Sequence, residues 1–244
     1  MYKGVNASEG IGIGTVAVAV EPDLSFEAHA VEDAAAEKER YAKALDVFCQ
    51  KTEAQAEAMK VSVGEHEAEI MIGHIALAQD PGMTDQINQA IDAGTCAERA
   101  LVDTTTMFEN MFLSMDDEMF RLRAADIADI RTGLLAELLG REVVDLSVLP
   151  AGTVICVHDL TPSMTATIDK KNVAAIVTET GGRTSHSAII ARALEIPAVL
   201  SVENSCTELT NGMTVIVDGS KGVVVADPDE ATLADYTARA EAFA

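Results

Sequence analysis

Hydrophobic and polar positions change rhythm twice along this 244-residue chain. Through Gly10-Ile11-Gly12-Ile13-Gly14-Thr15-Val16-Ala17-Val18-Ala19-Val20, glycines and β-branched residues alternate. That pattern predicts a strand or a pair of short strands, ended by Glu21-Pro22-Asp23. From about Val31 the spacing turns helical. Tyr41, Leu45, Phe48, Thr52, Ala56 and Met59 recur every three or four positions among Glu, Lys and Gln, the stripe of a long amphipathic helix. Ile70, His74, Leu77 and Ala78 mark a second helix, stopped by Asp80-Pro81-Gly82. A third runs through Met83, Ile87, Ala90 and Ile91 to about Gly94, and a fourth through Ala97, Leu101, Phe108, Met111 and Met115. The fifth carries Met119, Leu122, Ile127, Ile130, Leu134 and Leu138, with Gly140 as its C-terminal glycine. Short connections make consecutive helices antiparallel neighbours, so this block predicts a bundle.

After Val143 the β rhythm returns. Thr153-Val154-Ile155-Cys156-Val157 and Val173–Thr178 read as buried strands, and Pro197-Ala198-Val199-Leu200 as a short one. Thr214–Gly219 and Gly222–Val225 read as a hairpin pair. Leu160-Thr161-Pro162-Ser163 looks like a helix start, with Thr161 as cap and Pro162 in the first helical position. A polar, alanine-rich helix runs from Asp229 to Ala244. Matching α/β character on both sides of an all-helical block predicts an α/β domain with a helical domain inserted into one of its loops.

The formal net charge of −23, from 40 acidic and 17 basic residues, excludes the cationic face that a nucleic-acid binder needs and disfavours an anionic membrane surface. It favours a basic protein partner steered in by complementary charge. No apolar run is long enough to span a bilayer and the start has no secretory-type segment, so a cytoplasmic protein is expected. Cys49, Cys96, Cys156 and Cys206 are scattered without a C-x-x-C pair and read as reduced core residues; no metal-ligand spacing is present. The G-x-G repeats near the N-terminus lack the preceding strand and following helix of a dinucleotide fingerprint.

The chemistry concentrates at Gly181-Gly182-Arg183-Thr184-Ser185-His186. A strand runs into two glycines that allow close backbone approach, then an arginine able to fork onto phosphate oxygens. Hydroxyls suited to a helix start and one histidine follow. A helix N-terminus favours anions and disfavours imidazolium. A capped turn with a surface histidine accounts for the same residues, but their convergence on one point favours a nucleophilic or phosphate-carrying His186.

The same motif resembles the N-terminal half of enzyme I of the phosphoenolpyruvate-dependent sugar phosphotransferase system. Gly4-Val5-Asn6-Ala7-Ser8-Glu9-Gly10-Ile11-Gly12-Ile13-Gly14 resembles that family's opening, and Leu160-Thr161-Pro162-Ser163 its L-T-P-S segment. Arg123-Ala124-Ala125-Asp126-Ile127 with Asp129-Ile130 resembles its R-A-A-D signature, and Gly73-His74-Ile75 a further helical marker. The resemblance implies an α/β swivelling phosphohistidine subdomain with an inserted all-α helical-bundle subdomain. The expected division is residues 1–22 and 146–230 for the α/β part, 27–142 for an HPr-binding bundle, and 231–244 for the start of a linker helix. A C-terminal phosphoenolpyruvate-binding barrel, which has no counterpart here, would follow, so the chain reads as a truncated one.

On the family pattern, His186 accepts a phosphoryl group that comes ultimately from phosphoenolpyruvate and passes it to a histidine of HPr. Thr165, Gly181, Gly182, Arg183, Thr184 and Ser185 match phosphate-supporting positions; Glu65, Ile70, His74, Leu77 and Arg123 match HPr contacts. His66 and Pro81-Gly82 stand where relatives often have acidic residues. No cofactor is implied for this chain, since magnesium belongs with the barrel. The fragment is expected to be a monomer, unable to take phosphate from phosphoenolpyruvate by itself, and its full-length parent a homodimer. A swivelling domain of a dikinase-like protein, the nitrogen-regulatory paralogue, and a regulatory module with an unphosphorylated histidine remain alternatives.

Overall fold

The stretch from Gly10 to Val20 folds as one strand, β3 (Ile11–Val18), as expected, and two short strands precede it, β1 (Tyr2–Lys3) and β2 (Val5–Ser8). They belong to a computed structural model that describes residues 1–243, so Ala244 at the end of the expected linker helix lies outside the described residues. The chain divides into two compact units. One comprises Met1–Val20, Val61–Gly64 and the chain from Asp145 onward; the other comprises Glu21–Lys60 and Glu65–Val144.

The second unit is the helical one. It contains α1 (Ala34–Ser62) as far as Lys60, α2 (Glu65–Ala78), α3 (Pro81–Asp92), α4 (Ala97–Leu113) and α5 (Glu118–Leu139). The predicted stripe is the core: Tyr41, Phe48, Ile87, Leu101, Ile127, Ile130 and Leu134 pack together. Asp80-Pro81-Gly82 does more than end α2. Asp80 Oδ1 accepts from Gly82 N at 2.8 Å and caps α3, with Pro81 opening it. Gly140 closes α5 in the left-handed region, as expected. The α4 cap is not local. Cys96 makes no side-chain cap, and Glu37 of α1 supplies the acceptor instead, its Oε1 2.8 Å from Ala97 N.

The first unit continues with β4 (Thr153–Val157), α6 (Pro162–Thr165), β5 (Val173–Thr178), α7 (His186–Ala193) and β6 (Ala198–Leu200). It closes with α8 (Ser205–Glu208), β7 (Thr214–Asp218), β8 (Val223–Ala226) and α9 (Glu230–Phe243). The eight strands form one sheet in the order β1-β8-β7-β3-β4-β5-β6-β2. Strands β3, β4, β5 and β6 run parallel, while β7, β8, β1 and β2 pair antiparallel. All five residues of β4 are buried, which is why it reads as an unbroken apolar run rather than an alternation. A Cβ on Gly12 or Gly14 would lie 2.1 Å from the carbonyl oxygen of Ala174 or Gly152, so the G-x-G repeat answers to close backbone approach.

The final helix is fastened to this unit. Arg239 Nη2 lies 2.7 Å from Asp218 Oδ2, and Asp218 is buried at the end of β7. Residues 231–243, expected to lead into a linker, therefore sit in the α/β unit. All four cysteines are free; Cys96 and Cys156 are buried, Cys49 and Cys206 half-buried. Cys156 and Cys206 stand 3.8 Å apart at sulfur, and burial pushes both thiols up, that of Cys206 to about 12. No described helix is long and apolar enough to cross a membrane.

Candidate functional site

Parallel strands present their loops at their carboxyl ends, where open α/β sheets bind ligands. The loops after β4 and β5 both leave from that edge, since Val157 and Thr178 are paired at their ends. His158 fastens them together. Its carbonyl accepts from the amides of Glu179 and Thr180 at 3.1 and 3.0 Å and from Thr180 Oγ1 at 3.0 Å. Its ring Nδ1 lies 2.8 Å from Glu179 Oε2, and Glu179 Oε1 accepts from Cys206 N at 2.9 Å. The His158 ring first, and then the Cys206 amide, hold the Glu179 carboxyl below the usual range.

Gly181 follows with φ +101°, a conformation that side chains resist, and its carbonyl accepts from Ser201 Oγ at 2.6 Å. Ser185 is the N-cap of α7, accepting from Ala188 N and donating to Gly182 O at 2.8 Å. His186 is the first helical residue and is half-buried; Thr184 and Gly182 are exposed. Beneath them, buried Ser187 donates to Asp159 Oδ1 and Leu160 O, each at 3.0 Å. The loop thus holds its histidine at a helix N-terminus, on the sheet edge, with small or hydroxyl-bearing neighbours. Such a placement suits an imidazole that takes up an anionic group.

Two expected members of the phosphate-supporting set sit differently. Thr165 is fully buried, and its hydroxyl donates to Pro162 O at 2.7 Å, so it lies under the surface and offers only acceptor capacity. This is the back-bonding to the preceding turn that Thr52 and Thr105 also make in the long helices. Arg183 donates to Asn6 Oδ1 on β2, so its guanidinium is engaged away from its own loop. Sequence reading missed His158, Asp159, Glu179, Ser187 and Asn6. The position of His158 and Asp159 immediately before Leu160-Thr161-Pro162-Ser163 was the available signal for two of them.

In the helical unit, Glu65 is exposed and 2.9 Å from Lys60, which holds its carboxyl below the usual range. Ile70 is half-buried, and Leu77 packs against the core. His74, expected at the partner surface, is 1% exposed. Its Nε2 lies 3.1 Å from Asp126 Oδ1 and its Nδ1 3.8 Å from Asp129 Oδ2. An amphipathic spacing cannot separate a core histidine paired with buried aspartates from a surface one, and here the core position is the correct one. Arg123, about half-exposed, reaches Asp126 Oδ2 at 3.4 Å. His74 and Arg123 therefore share Asp126, the first from below and the second from the surface. Ile72, 49% exposed, is the large apolar side chain that α2 presents outward.

Known proteins resemble this chain in sequence and fold. Residues 3–123 match the family described as PEP-utilising enzyme, N-terminal, and residues 149–222 match PEP-utilising enzyme, mobile domain. A phosphoenolpyruvate-protein phosphotransferase of Listeria innocua is 42% identical over 96% of this chain, and one of Bacillus subtilis 38% identical over 99%. Those matches cover 41% and 42% of the two relatives, so the chain spans about two fifths of the length of the curated relatives it matches. A solution structure of an enzyme I protein superposes with TM-score 0.83 and 36% identity, covering 100% of this chain and 99% of that one. The N-terminal domain of a nitrogen enzyme 1 shares the fold at TM-score 0.61 and 22% identity, covering 99% of this chain and 100% of that one. With an enzyme I structure 36% identical and covered to 99% of its length, and with two matching family models of phosphoenolpyruvate-utilising enzymes, the chain belongs to the enzyme I family of phosphoenolpyruvate-utilising phosphotransferases.

Proposed function

We propose that this chain carries a phosphoryl group on His186 and hands it to a histidine of HPr. The observation that carries the reading is the place of His186: first residue of α7, capped by Ser185, at the carboxyl edge of parallel strands. The reactive ring nitrogen attacks phosphorus with its lone pair as the bond from phosphorus to the donor oxygen breaks, and a phosphoramidate forms. In the second step the HPr imidazole attacks the same phosphorus, and the nitrogen of His186 leaves with the electron pair. Both steps depend on positioning and on stabilising charge rather than on covalent work by other side chains. The end of α7 and the exposed loop at Gly182 and Thr184 supply that environment, while Ser187 and Asp159 hold the ring's backbone in place.

The dock is the helical unit, with Glu65, Ile70 and Leu77 on α2 and Arg123 on α5; His74 acts from below by holding Asp126. An acidic unit suits a carrier that offers a basic face. Phosphoenolpyruvate and magnesium stay with the barrel that the family resemblance implies for the parent. The chain alone therefore exchanges phosphate with HPr but takes none from phosphoenolpyruvate.

Incubation with phosphorylated HPr tests this. The expected product is an acid-labile phosphohistidine on the chain, absent from His186→Ala. Labelling of His186→Ala equal to that of the parent defeats the assignment. Efficient labelling by phosphoenolpyruvate and magnesium without HPr defeats the division of labour.

A further inference from the structure

An open cleft of about 600 Å³ lies between β2 and α7, lined in part by Asn6, Ala7, Arg183, Arg192 and Glu195. That is room for a small metabolite. Its two arginines are unusual for this chain. Arg183 donates to Asn6 Oδ1. Arg192 Nη1 donates to Ala7 O at 3.0 Å and Arg183 O at 3.1 Å. Every one of these acceptors is neutral. Acidic residues outnumber basic ones 40 to 17, and Arg40, Arg99, Arg123, Arg131, Arg141 and Arg239 each pair with a carboxylate. Glu9 and Glu195 border the cleft, yet among the described residues neither forms an ion pair with Arg183 or Arg192. Two permanent cations line one cavity without a direct ion-pair partner among the described residues, their donors spent on neutral acceptors.

A guanidinium fork matches phosphate oxygens, and a charge-assisted bond is about twice as strong as a neutral one. A phosphate dianion therefore outcompetes the Asn6 amide oxygen for Arg183. We propose that this cleft binds a small phosphate monoester, read by Arg183 and Arg192 together. Arg192 keeps its Nη1 bonds to the backbone and offers its remaining donors, while Arg183 turns from Asn6 to the ligand. Glu9 and Glu195 also line the cleft and disfavour a polyanion, which restricts the ligand to one phosphate on a small body. The proposal concerns binding alone and stands apart from the phosphohistidine reading.

The test is a titration of the isotope-labelled chain with inorganic phosphate and with glycerol 3-phosphate, against sodium chloride at matched ionic strength, followed through amide and arginine side-chain resonances. Saturable shifts at Asn6, Ala7, Arg183 and Arg192 are expected in both phosphate arms and not with chloride. Tighter binding of the ester shows that the cleft reads the body as well as the phosphate; equal affinities show that it reads the phosphate alone. Arg183→Gln should weaken binding at least about tenfold, the equivalent of one charge-assisted bond. Asn6→Ala removes the competitor and should tighten binding. It also keeps the test independent of Arg192, whose replacement loosens β2. No saturable shift overturns the proposal. So do shifts centred on Ser185–Ala188 instead of the cleft, or affinity unchanged by Arg183→Gln.

Discussion

Ser187 Oγ lies 3.0 Å from Asp159 Oδ1, so the second residue of α7 is tied to the segment that leaves β4. His186 is its immediate neighbour, so this buried bond anchors the backbone that carries the imidazole. Removing the hydroxyl in Ser187→Ala costs about 1–3 kcal/mol where a buried acceptor is left unmet. A shift of about 1 Å in the reacting group can cost on the order of a hundredfold in rate. Ser187→Ala and Asp159→Ala should therefore slow labelling by phosphorylated HPr by at least about tenfold while the chain stays folded. Asp159→Asn keeps the carbonyl oxygen that accepts this bond and should stay close to the parent. Rapid-quench labelling with a parallel thermal melt checks this; parental rates in Ser187→Ala would remove the positioning role.

The two glycines of the loop should separate by mutation. Gly181 has φ +101°, and a Cβ there would lie 3.2 Å from Ser185 Oγ and 3.3 Å from Leu200 Cδ1. Gly181→Ala should destabilise the α/β unit by about 1–3 kcal/mol. Gly182 has open space around its would-be Cβ, so Gly182→Ala should leave stability within about 0.5 kcal/mol. If Gly182→Ala nevertheless slows labelling, the backbone at Gly182 approaches the phosphoryl group closely. Denaturant unfolding and labelling rate, measured on both variants, separate these effects.

Elements were legible in the sequence wherever a local period governs them. The α1 stripe from Tyr41 to Met59 became the buried face of α1, and Thr153–Val157 and Val173–Thr178 became β4 and β5 with those bounds. His186 at a helix start was legible for the same reason: glycines, hydroxyls and the helix period adjoin. What stayed hidden joins distant segments. Arg183 meets Asn6 across 177 positions, Glu37 caps α4 across 60, and His74 finds Asp126 across 52. No period in the chain encodes such pairs, which exist only once the sheet order and helix packing are set. Single-turn α8 was missed because one turn carries no repeat.

His74 and Arg123 offer a prediction that divides stability from docking. His74→Ala removes the buried bond to Asp126 and a packed core side chain and should cost the bundle about 1–3 kcal/mol or more, as leaving a buried acceptor unmet does. Arg123→Ala removes a half-exposed partner and should cost only about 0–1 kcal/mol. HPr affinity should respond in the opposite order once folded protein is compared, with Arg123→Ala the weaker binder. Calorimetric titration at a temperature where both variants are folded reads this directly. A large loss of affinity in folded His74→Ala with Arg123→Ala unaffected would put the contact on the histidine after all.

Acid should open the helical unit through Glu37. Its carboxyl accepts Arg40 Nε at 3.0 Å, Arg40 Nη2 at 2.7 Å and Ala97 N at 2.8 Å, while Arg40 also reaches Glu98 Oε2 at 2.7 Å. The Arg40 bond first, with the Ala97 amide and nearby charge, holds the Glu37 carboxyl below the usual range against the opposing effect of burial. The unfolded chain therefore binds this proton more readily than the folded one, so stability rises with pH across the interval. The contribution is complete above the ordinary glutamate value of about 4.3 and is lost as pH falls through the lower folded value. Arg40 is partly exposed, so the network is worth about 1–3 kcal/mol rather than the figure for a fully buried pair. Glu37→Gln should lower stability at pH 7 and flatten its fall between about pH 5 and pH 3, as removal of this titration requires. Helical ellipticity followed through urea unfolding at each pH measures both. An unchanged acid slope in Glu37→Gln would assign the acid sensitivity to other carboxylates and leave Glu37 as a cap alone.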